Sequence, residues 1–202
     1  METENQSSAG NVLKENCSEE IIKNNAKTKN TEKAVKKIFS NHIPMSKMIN
    51  ILRRQSVNGV QQYVQGNLRI NPFFYKYAYL SLNNEERDLL IVGLQNRNRA
   101  FEGDLVVACV NPEKYWYKYP DGEIQKTGKI VCILEKMHSR RAVGCLKKEG
   151  SLLMFYPKDH RIPLVEILPE SVPALYRDQP ELCKNTLFLV NIDLWEQLHA
   201  FG

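Results

Sequence analysis

Residues 64–110 read VQGNLRINPFFYKYAYLSLNNEERDLLIVGLQNRNRAFEGDLVVACV. Four short runs follow one another in this stretch: VQGNLRIN, FYKYAYL, RDLLIVG and DLVVACV. The polar turn Asn83-Asn84-Glu85-Glu86 parts the second from the third. The basic segment Arg97-Asn98-Arg99, closing on Glu102-Gly103-Asp104, parts the third from the fourth. Short strands about 8–12 residues apart, with turn signals between them, predict a small all-β barrel or sandwich. Tyr75, Tyr77 and Tyr79 stand at every second position of one strand. Alternate side chains of a strand point the same way, so the three rings are expected on one face.

Beyond this stretch the barrel completes itself. The loop at residues 111–127, NPEKYWYKYPDGEIQKT, carries Pro112, Pro120 and the turn signal Asp121-Gly122. Its aromatic residues Tyr115, Trp116, Tyr117 and Tyr119 are read as packing over the barrel end. Gly128 to Leu134 then gives a fifth, buried strand. Five strands with an aromatic face and arginines at the rim describe an OB-type barrel, a fold that holds single-stranded nucleic acid by stacking and phosphate contact. Upstream, Met45, Met48, Ile49 and Leu52 fall at helical spacing, with Ser46 as an N-cap and Arg53 and Arg54 on the polar side. Residues 1–42, rich in Asn, Lys, Glu, Ser and Thr, bury too little to offset their ordering entropy and are expected to be disordered.

A second barrel is expected to begin at once. Ala142 to Lys147 echoes Tyr63 to Arg69 through a shared Gly-x-Leu-basic core, with Gly144 lying 78 residues after Gly66. Further strands are read at Leu152–Tyr156, Leu164–Leu168 and Asn185–Ile192. The fifth should form where the chain stops at Gly202, which would leave an edge unpaired, as in a fragment. The fold expectation is therefore all-β: two tandem OB-fold barrels, the second truncated at its last strand. The domains are a tail at 1–42, a first barrel with its leading helix at 43–137 and a second barrel at 138–202.

Composition narrows the function. No run approaches eighteen apolar residues, and the polar N-terminus is no secretory signal. Five widely spaced cysteines, without a C-x-x-C pair, read as reduced thiols of an intracellular protein. The formal net charge is +5, but its distribution says more. Residues 126–161 hold nine basic residues against three acidic, whereas residues 162–202 hold two against six. Such a local surplus is the footprint of a phosphate-binding surface, or simply a solvated basic face.

No catalytic constellation is legible. The four histidines (42, 138, 160 and 199) are isolated, and the aspartates are scattered, whereas a two-metal nuclease converges several carboxylates on ions about 4 Å apart. His138 and His160, flanked by basic residues, are candidates for phosphate contact. The residues point to binding without chemistry.

Gln65 to Pro72, followed by Asn98 to Val107, resembles the first cold-shock domain of eukaryotic RNase II-type 3′→5′ exoribonucleases. Ile133 to Arg140 and Pro157 to Pro163 resemble the junction into the second, and Asn185 to Val190, with Trp195, its late strands. The likeness spans residues 46–202 and is strongest to the Dis-three-like exonuclease two branch, which is cytoplasmic and has no N-terminal PIN nuclease. It implies a monomeric chain whose cold-shock domains guide single-stranded RNA, with uridine-rich 3′ tails favoured. Hydrolysis with Mg²⁺ would belong to a following RNB domain, so no cofactor is expected in this chain. The loop between strands four and five of the first barrel is shorter than in some relatives.

Tyr79 falls on the family's aromatic position, while Tyr77 departs from the pattern. Arg69, Arg97, Arg99, Lys136, Arg140, Arg141, Lys158 and Arg161 are the phosphate candidates. Two other readings stay open: a non-catalytic RNA-binding repressor or scaffold built on the same domains, and a protein-interaction barrel contacting partners through residues 115–119.

Overall fold

The structure is a computed structural model that describes residues 39–58, 62–82 and 87–192. The first part comprises helix α1 (Met45–Asn58) and strands β1 (Tyr63–Asn67), β2 (Arg69–Ile70), β3 (Tyr77–Leu80) and β4 (Leu89–Val92). Helix α2 (Gly93–Arg97), β5 (Leu105–Val110), the short hairpin β6 (Tyr117–Lys118) and β7 (Ile124–Gln125), and β8 (Gly128–Glu135) follow. β1 and β2 are two halves of one bent stretch. β1 pairs with β5 and β5 with β8, while β2 pairs with β3 and β3 with β4, all antiparallel. A parallel bridge between Leu90 and Thr127 joins β4 to the segment entering β8 and closes the ring. This is a five-stranded barrel in which the sheet has no free long edge.

Alternation fills the barrel as the pleat requires. In β3, Ala78 and Leu80 turn inward while Tyr77 and Tyr79 turn out. Leu68, Leu80, Leu89, Ile91 and Val106 are fully buried in the core, each stabilising the fold by about 1.5–3 kcal/mol relative to exposure.

The second part holds β9 (Arg141–Glu149), β10 (Leu152–Pro157), β11 (Val165–Ile167), helix α3 (Ala174–Asp178) and β12 (Phe188–Asn191). Its sheet order β11-β10-β9-β12 repeats the β4-β3-β2/β1-β5 order of the first barrel. The sequence echo is thus structural: Gly66 and Gly144 both lie in the first strand of an OB unit. The two are not equivalent in need. A Cβ on Gly144 would stand 2.1 Å from the Tyr156 carbonyl oxygen and 2.8 Å from Phe155 Cζ, whereas one on Gly66 meets only Leu80 at 3.7 Å. Between β11 and β12 the chain makes 3-10 turns at Pro169–Ser171 and Pro180–Asn185 around α3, which the apolar pattern did not signal. The expected missing fifth strand falls on residues 193–202, outside the described residues, as do the turn at 83–86 and residues 1–38 of the tail expected to be disordered over 1–42. Residues 39–42 are instead packed, with Phe39 only 2% exposed and His42 Nε2 bonded to the Asn98 carbonyl.

Four expectations are corrected. The helix is present, but its buried face is turned: Met48 is buried, Ile51, Leu52 and Gln55 are half-buried, and Met45 and Ile49 stay exposed. Gln55 decides the docking, since its amide donates to the Tyr63 carbonyl and accepts from the Tyr63 N–H, both at 2.7 Å. Ser46 lies inside the first turn rather than capping it, and Met48 N–H donates to the Pro44 carbonyl. Tyr75 sits in the turn before β3 and packs against the core, so it leaves the outer tyrosine face. Residues 93–97 form a helix closed by Asn98 in the left-handed region (φ 47°), a conformation that Asn tolerates better than most residues.

The glycine contrast is testable. Gly144→Ala should destabilise the chain by about 1–3 kcal/mol by overpacking, and Gly66→Ala by well under that, as read from chemical denaturation.

Candidate nucleic-acid interface

The outer face of β2-β3-β4 carries the residues that the tyrosine alternation pointed to. Register places Arg69 directly opposite Tyr79, with Leu90 on the far side of Tyr79 and Val92 opposite Tyr77. Arg69 remains exposed while pairing with Asp88. Tyr79 is half-buried, and that burial raises its hydroxyl above the usual phenol range, with a hydrogen bond to Asn71 acting the other way.

The aromatic loop borders this face rather than the barrel end. Leu90 N–H donates to the Lys126 carbonyl, and Gln125 donates to the Asp88 carbonyl at 3.0 Å, so the loop lies along β4. Tyr119 is held by a 2.6 Å hydrogen bond to Gln125 and by an edge contact with Tyr117. Arg87 stacks over the Tyr119 ring and pairs with Glu123, and Lys126 lies over Trp116. Arg87, Trp116, Ile124 and Lys126 line an open groove of about 280 Å³. Trp116 itself is anchored by donating to the Asn111 carbonyl at 2.7 Å.

The remaining sequence candidates divide sharply. Lys136, Arg141 and Lys158 are exposed. Arg97 is not: it is 1% exposed, donates from one nitrogen to the carbonyls of Tyr75 and Arg161, and burial pushes its guanidinium down to about 10. A phosphate cannot reach it. Arg99 holds the incoming chain, donating to the Ser40 carbonyl and stacking over Phe39. Arg140 grips Asp104 through two hydrogen bonds of 2.7 and 2.6 Å. Arg161 is clamped by Asp159 and lies 3.4 Å from Glu102, and each member of the Asp159–Arg161 pair holds the other in its charged form. These four arginines are struts before they are anything else.

Sequence reasoning missed their partners because Glu102 and Asp104 lie 59 and 36 residues away along the chain. Asp104 is fully buried and also accepts the N–H groups of Phe101 and His138. Phe101, from the loop before β5, packs into the core of the second unit with Leu146 and Phe155. It stacks on His138 at 4.9 Å and lies under the Arg140 guanidinium at 4.7 Å. His138 Nδ1 accepts the Arg140 N–H at 3.0 Å and is therefore unprotonated. Burial holds both His138 and His42 below the ordinary imidazole value; His42 Nε2 bonds the Asn98 carbonyl. His160 is exposed.

Among the described residues, no three His, Cys, Asp or Glu side chains come together to hold a metal ion. Nor is any described helix long and apolar enough to cross a membrane. The arrangement offers stacking rings and surface cations.

The fold is thus that of two tandem cold-shock, OB-type units, and comparisons with known proteins agree. The family profile described as Rrp44-like cold shock domain matches residues 38–129, and Dis3-like cold-shock domain 2 matches residues 152–202. DIS3-like exonuclease 2 of Xenopus tropicalis is 27% identical over 233 residues, covering 70% of this chain and 28% of the relative. Exosome complex exonuclease RRP44 of Mus musculus is 26% identical over 173 residues, covering 68% of this chain and 17% of the relative. A solved structure of yeast Ssd1, described as a pseudonuclease, shares the fold: TM-score 0.62 at 20% identity, over 79% of this chain and 23% of that one. The chain belongs to the Dis3/Rrp44-like exoribonuclease family through its two cold-shock domains, and it spans only a fraction of its relatives' length, 28% for the Xenopus protein.

Two outcomes are expected from the junction. Asp104→Ala leaves Arg140 buried without its carboxylate and should cost about 3–5 kcal/mol in chemical denaturation. The pH dependence has a definite sign: the unfolded chain binds more protons at His42 and His138 than the native one, so stability rises with pH. That contribution is full above about pH 6.5 and is lost as pH falls through that value. Denaturation midpoints at about pH 7.5 and 5.5 should differ, and a His42→Gln/His138→Gln double variant should narrow the gap.

Proposed function

We propose that this chain binds single-stranded RNA through the outer face of its first barrel. The observation that carries the reading is the register of β2 and β3: two outward tyrosines on alternate positions, about 6.7 Å apart along the strand, with exposed Arg69 opposite one of them. Aromatic faces take bases without regard to sequence, and the neighbouring cations take phosphates. Membership of the exoribonuclease family supports RNA over other polyanions. The resemblance seen in the sequence extends the proposal: uridine-rich 3′ tails of cytoplasmic RNA, bound by a monomeric chain. Hydrolysis would be the work of a separate RNB domain whose aspartates hold Mg²⁺.

Fluorescence anisotropy with labelled oligo(U) and oligo(A) tests this. Affinity should fall about ten- to fiftyfold between 50 and 200 mM salt as three or four phosphates are neutralised. Tyr79→Ala should weaken binding by about 1–3 kcal/mol at unchanged fold. Salt-insensitive binding, or none at micromolar RNA, would sink the proposal, and equal affinity for the two oligomers would remove the uridine preference alone.

A further inference from the structure

The turn between β2 and β3 presents a ring that the barrel does not use. Phe73 is 80% exposed, the most exposed of the large apolar side chains among the described residues. It is not there by slackness of the turn. Asn71 Oδ1 accepts the N–H groups of Phe73 and Phe74 at 2.9 and 3.0 Å, and Tyr77 N–H donates to the Phe74 carbonyl at 2.9 Å. The backbone beneath the ring is therefore fixed, and Lys76 in the same turn is exposed.

Arg97 supplies the second observation. One of its nitrogens bonds the Tyr75 carbonyl at 3.0 Å and the Arg161 carbonyl at 3.3 Å. The turn bearing Phe73 is thereby held beside the β10–β11 loop of the second unit, which carries exposed Lys158 and His160. In that loop Asp159 is matched by Arg161, and Glu102 lies against the same guanidinium, so Lys158 is the charge left to solvent. Tyr77 N–H and carbonyl both bond the turn, which makes the turn continuous with the outward tyrosines of β3.

We propose that Phe73, Lys76 and Lys158 form a composite subsite for single-stranded RNA across the two units: a base stacks on Phe73 and the adjoining phosphates lie on the two lysines. It rests on the proposed RNA-binding function and extends the bound strand beyond Tyr77 and Tyr79 onto the second unit. The excess of positive charge beside an exposed ring favours a polyanion with π-faces over an apolar protein surface.

The test uses the full chain and labelled oligo(U) of about four and about ten nucleotides, both within the range of about 4–16 for one OB unit. Wild type should gain affinity with the longer strand. Phe73→Ala should lose about five- to a hundredfold on the longer strand and little on the shorter, and Phe73→Trp should restore it. Lys158→Gln should lower the salt slope by about 0.7. Phe73 is exposed, so thermal unfolding of Phe73→Ala should match wild type. Wild-type binding to RNA with Phe73→Ala unchanged would overturn the subsite, leave the Tyr79 reading standing and turn the ring toward a protein partner. Failure of wild type to bind either oligomer would overturn both.

Discussion

The join between the two units hangs on a carboxylate that has no contact with water. Asp104 is 0% exposed and receives both ends of the Arg140 guanidinium, together with the N–H groups of Phe101 and His138. A buried ion pair adds little net stability compared with well-packed apolar residues of the same volume, because desolvating two charges offsets most of their attraction. Its effect is directional. The placement of the second unit that brings Arg140 to Asp104 also puts Phe101 into the second core and Arg161 against Glu102. The segment from Lys136 to Arg140 is too short to allow much else. Arg140 itself takes a left-handed backbone (φ 57°), a strain the ion pair holds in place.

That junction changes the meaning of the local charge surplus. Nine basic residues in 126–161 look like a phosphate-binding strip, but Arg140 and Arg161 are matched by acidic residues from the loop before β5. The cations left for a ligand are exposed ones with no ion pair among the described residues, such as Lys136, Arg141 and Lys158, and those whose ion pair is itself exposed. Arg69 with Asp88 is of the latter kind; an exposed pair contributes at most about 1 kcal/mol, so a phosphate can displace the carboxylate at small cost.

The first barrel was legible because its information is local. Turn residues, period-two alternation and strand length are all properties of a few adjacent residues, and the five runs in 64–134 became the five strands of a closed ring. The outward placement of Tyr77 and Tyr79 followed from the same period. Tyr75 broke it, because the Asn71 turn ends the strand pattern before the third ring. The arginines were illegible for the opposite reason. Whether Arg97 or Arg140 is a ligand contact or a strut depends on a carbonyl or carboxylate contributed from 22 to 64 residues away, which no window of sequence contains. The acid two residues before Arg161 was the one signal within reach, since Asp159 closes on it directly.

A rigid junction has a consequence for how a flexible strand is held. Single-stranded nucleic acid loses conformational freedom when it binds, and a protein that must also order itself adds to that cost. Two barrels on a loose tether would bind as separate sites, coupled only through the tether's effective concentration. Here the β2–β3 turn and the β10–β11 loop bond the same guanidinium, so their spacing is set before any ligand arrives. On the proposed reading, the rings on β3 and the turn, and the cations beyond them, would then act as one preorganised surface. On the proposed RNA-binding reading, the strut arginines would keep a part in recognition through this route, by holding the residues proposed to touch the strand at a fixed separation.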